Sequence, residues 1–343
     1  MIALRAAETV YSCREELAAM FGSDRPENVV FTMNATMALN LAVKGLAKEG
    51  DHILISDLEH NAVRRPVAAL SAQQRITYSV FPSFAGNPER TDDAILDGIR
   101  RRLRPNTRIL ICTHASNICS VTMPLERIGA LCREKGIRFL VDAAQSSGHL
   151  PIDMEGMGID ILCAPGHKGL FGGQGCGFLL LREGIHLQTM FEGGSGVDSI
   201  PAEMPEEPPE RYEAGTLPTP AIAGLLAGVR YVREVGVDRI RLHLSGWNRC
   251  LRERLETLSR VEILTPEADG AILLFRIAGM PSERVGAELN RCGICVRAGL
   301  HCAPLAHATL GTLPDGAVRI SPGIFTRPAD ADAVWRAVRE MLV

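Results

Sequence analysis

One lysine stands in a setting that points to chemistry. Lys168 lies in "CAPGHKGLFGGQGCGFLLL", between a histidine and a glycine-rich run, directly after one apolar segment and before another. Polar residues follow other apolar segments: His60 in "EHNAV", Asn117 in "HASNICS", and Asp142 and Gln145 in "VDAAQSSG". A lysine amine can hold a carbonyl compound as a Schiff base, and a carboxylate can pair with a protonated ring nitrogen. These residue types therefore predict a site for an aromatic carbonyl cofactor.

A predicted phosphate site accompanies this set. In "TMNATMALN", Ala35 and Thr36 come at the start of a predicted helix, directly after the first apolar segment. The first amides of a helix have no partner within the helix, and together with a hydroxyl group they form a natural phosphate site. The predicted cofactor is therefore phosphorylated.

The order of the elements explains how these residues would meet. Strand-like apolar segments alternate with helix-period segments through the first half, which predicts a mostly parallel sheet covered on both faces. Ligands in such sheets bind beyond the carboxyl ends of the strands, where the polar residues lie. The predicted strands cover 29–31, 52–56, 76–80, 108–112, 138–142, 159–163 and 178–181, and the predicted helices cover 35–47, 62–72, 92–102 and 125–135.

The pattern changes after residue 181. A loop rich in proline and glutamate over 195–213 precedes a long helical pattern from about 220 to 258. Shorter segments follow and predict a compact α+β unit. We place the domain boundary near residue 230, with a large domain over 1–230 and a small C-terminal domain over 231–343. The small domain's predicted strands cover 261–264, 271–277, 294–297 and 318–321, and its predicted helices cover 282–291 and 330–341.

Composition excludes several classes of protein. The 343 residues are 46% hydrophobic and 22% charged, as is typical of a globular protein. A net charge of −3 gives no general attraction to nucleic acid or to anionic membranes. The ten cysteines lack framework spacing, which favours reduced thiols in the cytoplasm. We find neither a membrane-spanning apolar run nor a nucleotide-binding motif of the Walker A or G-x-G-x-x-G type.

The motifs together resemble the class V aminotransferase family of pyridoxal phosphate enzymes, and within it the group II-like cysteine desulfurase and selenocysteine lyase branch. The resemblance covers essentially the whole chain, and its motifs here are "GHK", "VDAAQ", "YEAGT", "VRAGLHCAPLAH" and "RIS". It implies an α/β chain of transferase fold type I, like aspartate aminotransferase. That fold has a large, mostly parallel seven-stranded sheet domain and a small α+β C-terminal domain. The resemblance also implies a homodimer, an amino-acid substrate and a sulfur-acceptor protein.

The resemblance assigns roles around the cofactor ring. It implies that Lys168 binds pyridoxal phosphate covalently and that Asp142 pairs with the pyridinium nitrogen. Gln145 and Asn117 would contact the phenol oxygen, and His60 would stack on the ring. The reaction requires such groups on chemical grounds as well, because a protonated ring accepts electrons and a freed lysine is a base.

The remaining roles concern the phosphate, the substrate and the sulfur. The resemblance implies phosphate contacts from Thr36, His167 and Thr216, with Thr216 serving the partner subunit's cofactor. Arg319 would bind the substrate carboxylate as a two-pronged donor, and Cys302 would take the sulfur as a persulfide. The short "AGLHCAP" stretch predicts a constrained loop around Cys302, with Arg297 and His301 as the nearby cations.

Two departures from the family pattern lead to expectations. The family usually begins with an Asp-Asn-Ala-Ala-Thr-Thr segment, whereas Met1 here is followed almost at once by "VYSCREELAAMFG". That segment helps to line the active site, so its absence predicts reduced activity. Pro165 stands where relatives carry a Ser or Thr that contacts phosphate, which predicts one phosphate hydrogen bond fewer.

Each residue also has an ordinary interpretation. Taken singly, Lys168 and Arg319 are typical surface cations, and Thr36 and Asp142 are typical helix caps. A zinc site is a further alternative, but a C-x-x-C ligand pair needs a tight turn, whereas the pattern predicts a helix end and a strand. We therefore predict no metal. The conceivable zinc ligands are Cys292, Cys295, His301, Cys302 and His307.

Three functions remain open from the sequence. The first is a cysteine desulfurase, or a selenocysteine lyase, in which Cys302 is the sulfur acceptor. The second is another class V aminotransferase or lyase, in which Cys302 is incidental. The third is an inactive or scaffold protein, favoured only by the short N-terminus. Cys302 within its motif favours the first.

Overall fold

Seven strands form a central sheet in the order β3-β2-β4-β5-β6-β7-β1. The computed structural model describes residues 2–266 and 270–342. All strands of this sheet run parallel except β7, which is antiparallel to both of its neighbours. The strands are β1 (Val29–Thr32), β2 (His52–Ser56), β3 (Thr77–Phe81), β4 (Thr107–Thr113), β5 (Arg138–Asp142), β6 (Ile161–Pro165) and β7 (Gly177–Leu181). The predicted α/β class with a mostly parallel seven-stranded sheet is confirmed.

Helices cover both faces of this sheet because its strands are apolar on both sides. Leu54 packs into the cluster on one face, whereas its neighbours Ile53 and Ile55 pack into the cluster on the other. Successive side chains of a strand point to opposite faces, so such strands need cover on both. The helices are α1 (Ile2–Met20), α2 (Ala35–Leu46), α3 (Asn61–Ala72), α4 (Asp92–Arg100) and α5 (Leu125–Lys135), with a short 3-10 helix at Pro26–Asn28.

Two long helices lead to a second sheet. They are α6 (Thr219–Val235) and α7 (Val237–Leu255), and they are separated at Gly236, whose φ of 90° a helix does not tolerate. The second sheet is antiparallel, in the order β10-β11-β9-β8. Its elements are β8 (Val261–Ile263), β9 (Leu273–Ile277), α8 (Ser282–Arg291), β10 (Arg297–Gly299), α9 (Pro304–Thr309), β11 (Ala317–Ile320) and α10 (Pro328–Glu340). The predicted domain boundary near residue 230 stays a prediction.

The small sheet has its own apolar core. Phe275 of β9 and Val318 of β11 are fully buried there, and Leu251 of α7 and Val338 of α10 pack with them. Among the described helices, none is both long enough and apolar enough to cross a membrane.

Candidate active site

A cavity of about 170 Å³ opens at the carboxyl ends of the parallel strands. Ligand sites in sheets of this type lie at that edge, because the loops that follow the strands converge there. The cavity brings together eight of the nine predicted cofactor-binding residues: Ala35, Thr36, His60, Asn117, Asp142, Gln145, His167 and Lys168. Pro165 lines the same cavity.

The start of α2 forms one wall of the cavity. Asn34 caps this helix, its Oδ1 accepting from Met37 N at 3.0 Å. The cap leaves the amides of Ala35 and Thr36, the first two helical residues, directed out of the helix end. Gly177 of β7 passes so close that a Cβ there would lie 2.6 Å from Asn34 C and 2.9 Å from Ala35 N. The wall therefore depends on glycine at this position.

Asp142 ends β5 with its carboxylate at the cavity. The residue is 3% exposed, and its Oδ1 accepts a hydrogen bond from Ala144 N at 2.9 Å. Burial raises the pKa of Asp142, and the Ala144 hydrogen bond and the charge of Lys168 oppose that shift. A buried carboxylate in this state favours a cationic partner.

Lys168 follows β6 and shares the cleft with Asp142. The side chain remains accessible from the mouth of the cleft. Desolvation by the surrounding protein lowers the pKa of Lys168; Asp142 opposes this shift, and Arg319 and Arg297 add to it. Its neighbour His167 also has a lowered pKa, owing to desolvation and to the charge of Lys168. The cluster of positive charges therefore favours an anionic ligand and a more easily deprotonated lysine.

His60 is a neutral ring with a defined tautomer. Its Nδ1 accepts a hydrogen bond from Ala62 N at 3.0 Å, so the ring proton lies on Nε2. Burial and the positive charges of Lys168 and Arg297 lower the pKa of His60 to about 4. At pH 7 it can donate from Nε2 but carries no charge.

Glu59 precedes this histidine in the chain, and sequence reasoning did not identify it. It is fully buried; its Oε1 accepts from Thr113 N at 2.8 Å and from Ser56 Oγ. Its Oε2 is buried without a hydrogen-bond partner among the described residues. Burial raises the pKa of Glu59 to about 8, and the negative charge of Asp142 adds to that shift. The signal lay inside "EHNAV", but the sequence does not reveal that this glutamate is buried.

Asn117 joins the cavity to the second sheet. Its Nδ2 donates to His301 O at 2.9 Å, and its backbone oxygen accepts from Arg319 Nη1 at 2.9 Å. Its Oδ1 is buried without a hydrogen-bond partner among the described residues, as is Arg319 Nε. Neither Arg319 nor Cys302 lines the cavity itself, but both connect to its wall through hydrogen bonds.

The Cys302 loop lies against the start of α3. Cys302 O accepts from Asn61 N at 2.8 Å, next to His60, and its thiol is exposed. Arg297 Nη2 lies 3.5 Å from Cys302 Sγ. Burial lowers the pKa of His301 to about 4, so this ring is neutral at pH 7. Of the two predicted cations, Arg297 is therefore the one that is charged and faces the sulfur.

Thr216 lies apart from the cavity. It is exposed and lines a separate groove of about 970 Å³ with Arg14 and Glu213. Arg14 and Glu213 are buried and form an ion pair at 2.6 Å, and Phe31 N donates to Glu213 at 2.6 Å. This ion pair fastens the "YEAGT" segment to α1 and β1.

The donor set fits pyridoxal phosphate. The group requires an anion site for its phosphate, a buried carboxylate for its ring nitrogen and a lysine for its aldehyde. The amides at the start of α2, Asp142 and Lys168 meet these requirements within one cavity. The orphaned Oδ1 of Asn117 leaves one buried polar atom at this wall ready for a ligand. Among the described residues, no group of three or more His, Cys, Asp and Glu side chains is placed to hold a metal ion.

Comparison with curated proteins finds relatives that are named as cysteine desulfurases. A probable cysteine desulfurase of Methanothermobacter thermautotrophicus is 31% identical over 328 residues, which are 91% of this chain and 80% of that protein. Another, of Mycolicibacterium paratuberculosis, is 31% identical over 350 residues, which are 99% of this chain and 50% of that protein. This chain therefore spans half the length of the second relative.

Comparison with solved structures also finds a cysteine desulfurase. The apo structure of a cysteine desulfurase from Thermococcus onnurineus NA1 superimposes with a TM-score of 0.91 at 28% identity, over 99% of this chain and 85% of that chain. The family model for aminotransferase class-V proteins matches residues 2–334. With the sheet order and the cavity described above, this match leads to one conclusion: the chain belongs to the aminotransferase class-V family.

Proposed function

We propose that this chain is a pyridoxal phosphate–dependent cysteine desulfurase, which converts L-cysteine to L-alanine and passes the sulfur to Cys302 as a persulfide. The observation that carries the proposal is the hydrogen bond from Asn61 N to Cys302 O at 2.8 Å. It attaches the backbone of Cys302, an exposed residue, to the residue that follows His60, and His60 lines the cavity that contains Lys168. The similarity to proteins named as cysteine desulfurases supports the same activity.

The cofactor would be held by residues that end or follow four strands. Lys168 would bind its aldehyde carbon, Asp142 its ring nitrogen, and the α2 amides with Thr36 and His167 its phosphate. Gln145 and Asn117 would face its phenol oxygen. When bound, the group supplies an acceptor for the electron pair released at the substrate α-carbon.

Arg319 and Lys168 would prepare the substrate. With Nη1 engaged by Asn117 O, Arg319 keeps Nε and Nη2 for a carboxylate, and Nε lacks a partner among the described residues. These two donors lie side by side and match the two oxygens of a carboxylate. The lowered pKa of Lys168 leaves more of its amine free to accept the α-proton.

Cys302 would then take the sulfur. Arg297, 3.5 Å from Sγ, can stabilise the thiolate that attacks the substrate sulfur. An S–S bond forms and the bond between the sulfur and the substrate Cβ breaks; its electron pair stays on carbon, which takes up a proton and ends as alanine. His60 can donate from Nε2 at this wall, since its Nδ1 is occupied by Ala62 N.

The test separates Cys302 from the cofactor chemistry. Cys302→Ala should keep the cofactor absorbance near 400 nm and the spectral change on adding cysteine. It should lose alanine formation by about a hundredfold or more, because no nucleophile accepts the sulfur. Cys295→Ala is a matched control, since this exposed cysteine lies outside the loop and should leave the rate unchanged. Undiminished alanine formation by Cys302→Ala would contradict the proposal.

The proposal includes partners. We infer a homodimer in which Thr216 contacts the partner's cofactor, because Thr216 is exposed and lies outside its own chain's cavity. The exposed Cys302 sulfur is also accessible to an acceptor protein.

A further inference from the structure

The backbone around Cys302 is strained. His301 has a φ of 51° and Cys302 a φ of 58°, so two consecutive residues with side chains adopt the left-handed conformation. Such conformations are uncommon outside glycine and persist only when the surrounding structure enforces them. Contacts around the loop must therefore hold it in place.

Three hydrogen bonds hold the loop directly. Cys302 O accepts from Asn61 N at 2.8 Å, and His301 O accepts from Asn117 Nδ2 at 2.9 Å. The third lies between His301 Nε2 and Arg297 O at 3.0 Å. The first two attach the loop to the cavity wall, and the third attaches it to the strand that carries Arg297.

Behind His301, two buried residues continue the network. His301 Nδ1 lies 3.1 Å from His307 Nε2, and His307 Nδ1 lies 2.6 Å from Thr312 Oγ1. The two rings are stacked, with centroids 5.3 Å apart. His301, His307 and Thr312 are each no more than 3% exposed.

The carbonyl at one end fixes the direction of this network. Arg297 O can only accept, so His301 donates from Nε2 and its Nδ1 accepts from His307 Nε2. His307 Nδ1 then accepts from the Thr312 hydroxyl at 2.6 Å, the shorter of the two contacts of that hydroxyl, the other being His307 O at 3.2 Å. Burial lowers the pKa of both histidines to about 4, so both rings stay neutral at pH 7 and the order of donors is kept.

We propose that His307 and Thr312 are positioning residues for sulfur transfer. Arg297 O sets the tautomer of His301, and His307 and Thr312 hold the plane of its ring. Through this ring they keep Arg297 and Cys302 in their relative positions. The inference rests on the proposed desulfurase function for its catalytic consequence, but not for its effect on the thiol. Without the Thr312 hydroxyl, the buried Nδ1 of His307 loses its hydrogen-bond partner. The His307 ring is then no longer held in place, and the His301 ring that stacks on it loses its fixed orientation.

The experiment compares Thr312→Val with Thr312→Ser. Valine keeps the shape but removes the hydroxyl, whereas serine keeps it. The first measurement is the rate of alkylation of Cys302 by iodoacetamide from pH 6 to 9, without substrate, mapped by peptide mass spectrometry. Cys292 and Cys295 are exposed and serve as internal references within each sample.

We expect Thr312→Val to slow alkylation of Cys302 at pH 7 by about threefold or more, with the pH profile displaced upward, because Arg297 no longer stabilises the thiolate. The kcat for alanine formation should fall by about tenfold with KM for cysteine nearly unchanged, since misplacement of the thiol affects the transfer step. The cofactor absorbance should stay the same. Thr312→Ser should behave like the wild type in every measurement.

A second pair of variants provides the test if Thr312→Val does not fold. His307→Gln keeps an N–H donor near the Nε2 position, whereas His307→Phe removes both nitrogen atoms. If circular dichroism reports that Thr312→Val is unfolded, this pair decides the question by the same measurements, with Gln expected to retain more thiol reactivity than Phe. Equal alkylation profiles for the donor-keeping and donor-lacking variants would overturn the proposal. A shifted profile in a protein whose wild type forms no alanine would keep the positioning role and reject the desulfurase function.

Discussion

Glu59 is the residue whose environment departs furthest from what its type suggests. It is fully buried, and burial raises its pKa from 4.5 to about 8. A carboxyl group in this state keeps its proton at pH 7 and avoids adding a second charge beside Asp142. The acceptor role of Oε1 toward Thr113 N does not require a charge.

Glu59→Gln should therefore change how stability depends on pH. A carboxyl group whose folded pKa lies above its unfolded pKa contributes its stability below the unfolded value and loses it as pH rises through the folded value. For Glu59 this window runs from about pH 4.5 to about 8. Over this window wild-type unfolding free energy should fall relative to Glu59→Gln by at most about 5 kcal/mol. Urea unfolding of both proteins at pH 5, 6.5 and 8 measures the difference, since the other groups titrate alike. Parallel curves would mean that Glu59 is ionised in the folded protein.

At this scale, the sequence predicted which residues would meet but not how they are held. The residues after the strands converge on one cavity, as strand order requires, and eight of nine lie there. Burial and tautomer depend on neighbours distant in sequence. Asn117 contacts His301 184 residues away, and Glu59 contacts Thr113 54 residues away. Such contacts leave no local pattern, so the neutral His301 and the buried Glu59 could not be identified.

At the scale of elements, the hydrophobic pattern of the sequence was sufficient to predict the strands of the large sheet. All seven predicted strands are present with ends within two residues of the prediction, because runs buried on both faces differ clearly from amphipathic helices. Helix ends also followed local signals. For example, α5 ends at Gly136, which has a φ of 64°.

The missed elements depend on tertiary contacts. The helix α1 was not predicted, and one of its buried residues is Arg14, whose partner Glu213 is 199 residues away. The strand predicted at 294–297 is observed as β10, Arg297–Gly299, because its register is set by pairing with β11. The predicted helix over 220–258 is two helices, divided at Gly236.

The approach of β7 to α2 gives a prediction about elements. In Gly177→Ala, the new Cβ would meet backbone atoms of Asn34 and Ala35 within 3 Å, and backbone cannot move aside as a side chain can. The start of α2 should shift, so affinity for pyridoxal phosphate should fall by about tenfold or more, because phosphate contacts depend on the placement of those amides. Fluorescence titration of the cofactor-free protein with pyridoxal phosphate measures this affinity.

The same glycine-rich run offers a matched control. Gly173→Ala places its Cβ in open space, with no atom within 4 Å. We expect its affinity for the cofactor to equal that of the wild type. Equal affinities for the two variants would mean that the start of α2 does not determine phosphate binding.

At the scale of the whole molecule, the position of Thr216 suggests shared sites. The buried Arg14–Glu213 pair, with side chains 6% exposed, fixes the segment that carries Thr216. The segment is thus attached to α1, whereas Thr216 itself is exposed and apart from its own cavity. An exposed residue on an attached segment can serve a site on another copy of the chain.

Mixed dimers test this arrangement. One chain carries Lys168→Ala and the other Thr216→Val, each with a different affinity tag, so that only mixed dimers are purified. If Thr216 serves the partner, one site per dimer combines an intact Lys168 with an intact Thr216 from the other chain. Such dimers should recover about half of the wild-type activity and its cofactor affinity at that site, since the two sites work independently. The rate of alanine formation measures the activity, and titration with the cofactor measures the affinity.

The reverse pairing is the control. A chain with both Lys168→Ala and Thr216→Val, paired with a wild-type chain, leaves the only intact Lys168 facing a valine from its partner. Its cofactor affinity should match that of the Thr216→Val homodimer rather than the wild type, because the lost hydroxyl belongs to that site. If Thr216 acts within its own chain, the two pairings exchange their results: the control recovers the activity, and the first dimer does not. A protein that stays monomeric and still binds the cofactor with wild-type affinity would contradict the shared site altogether.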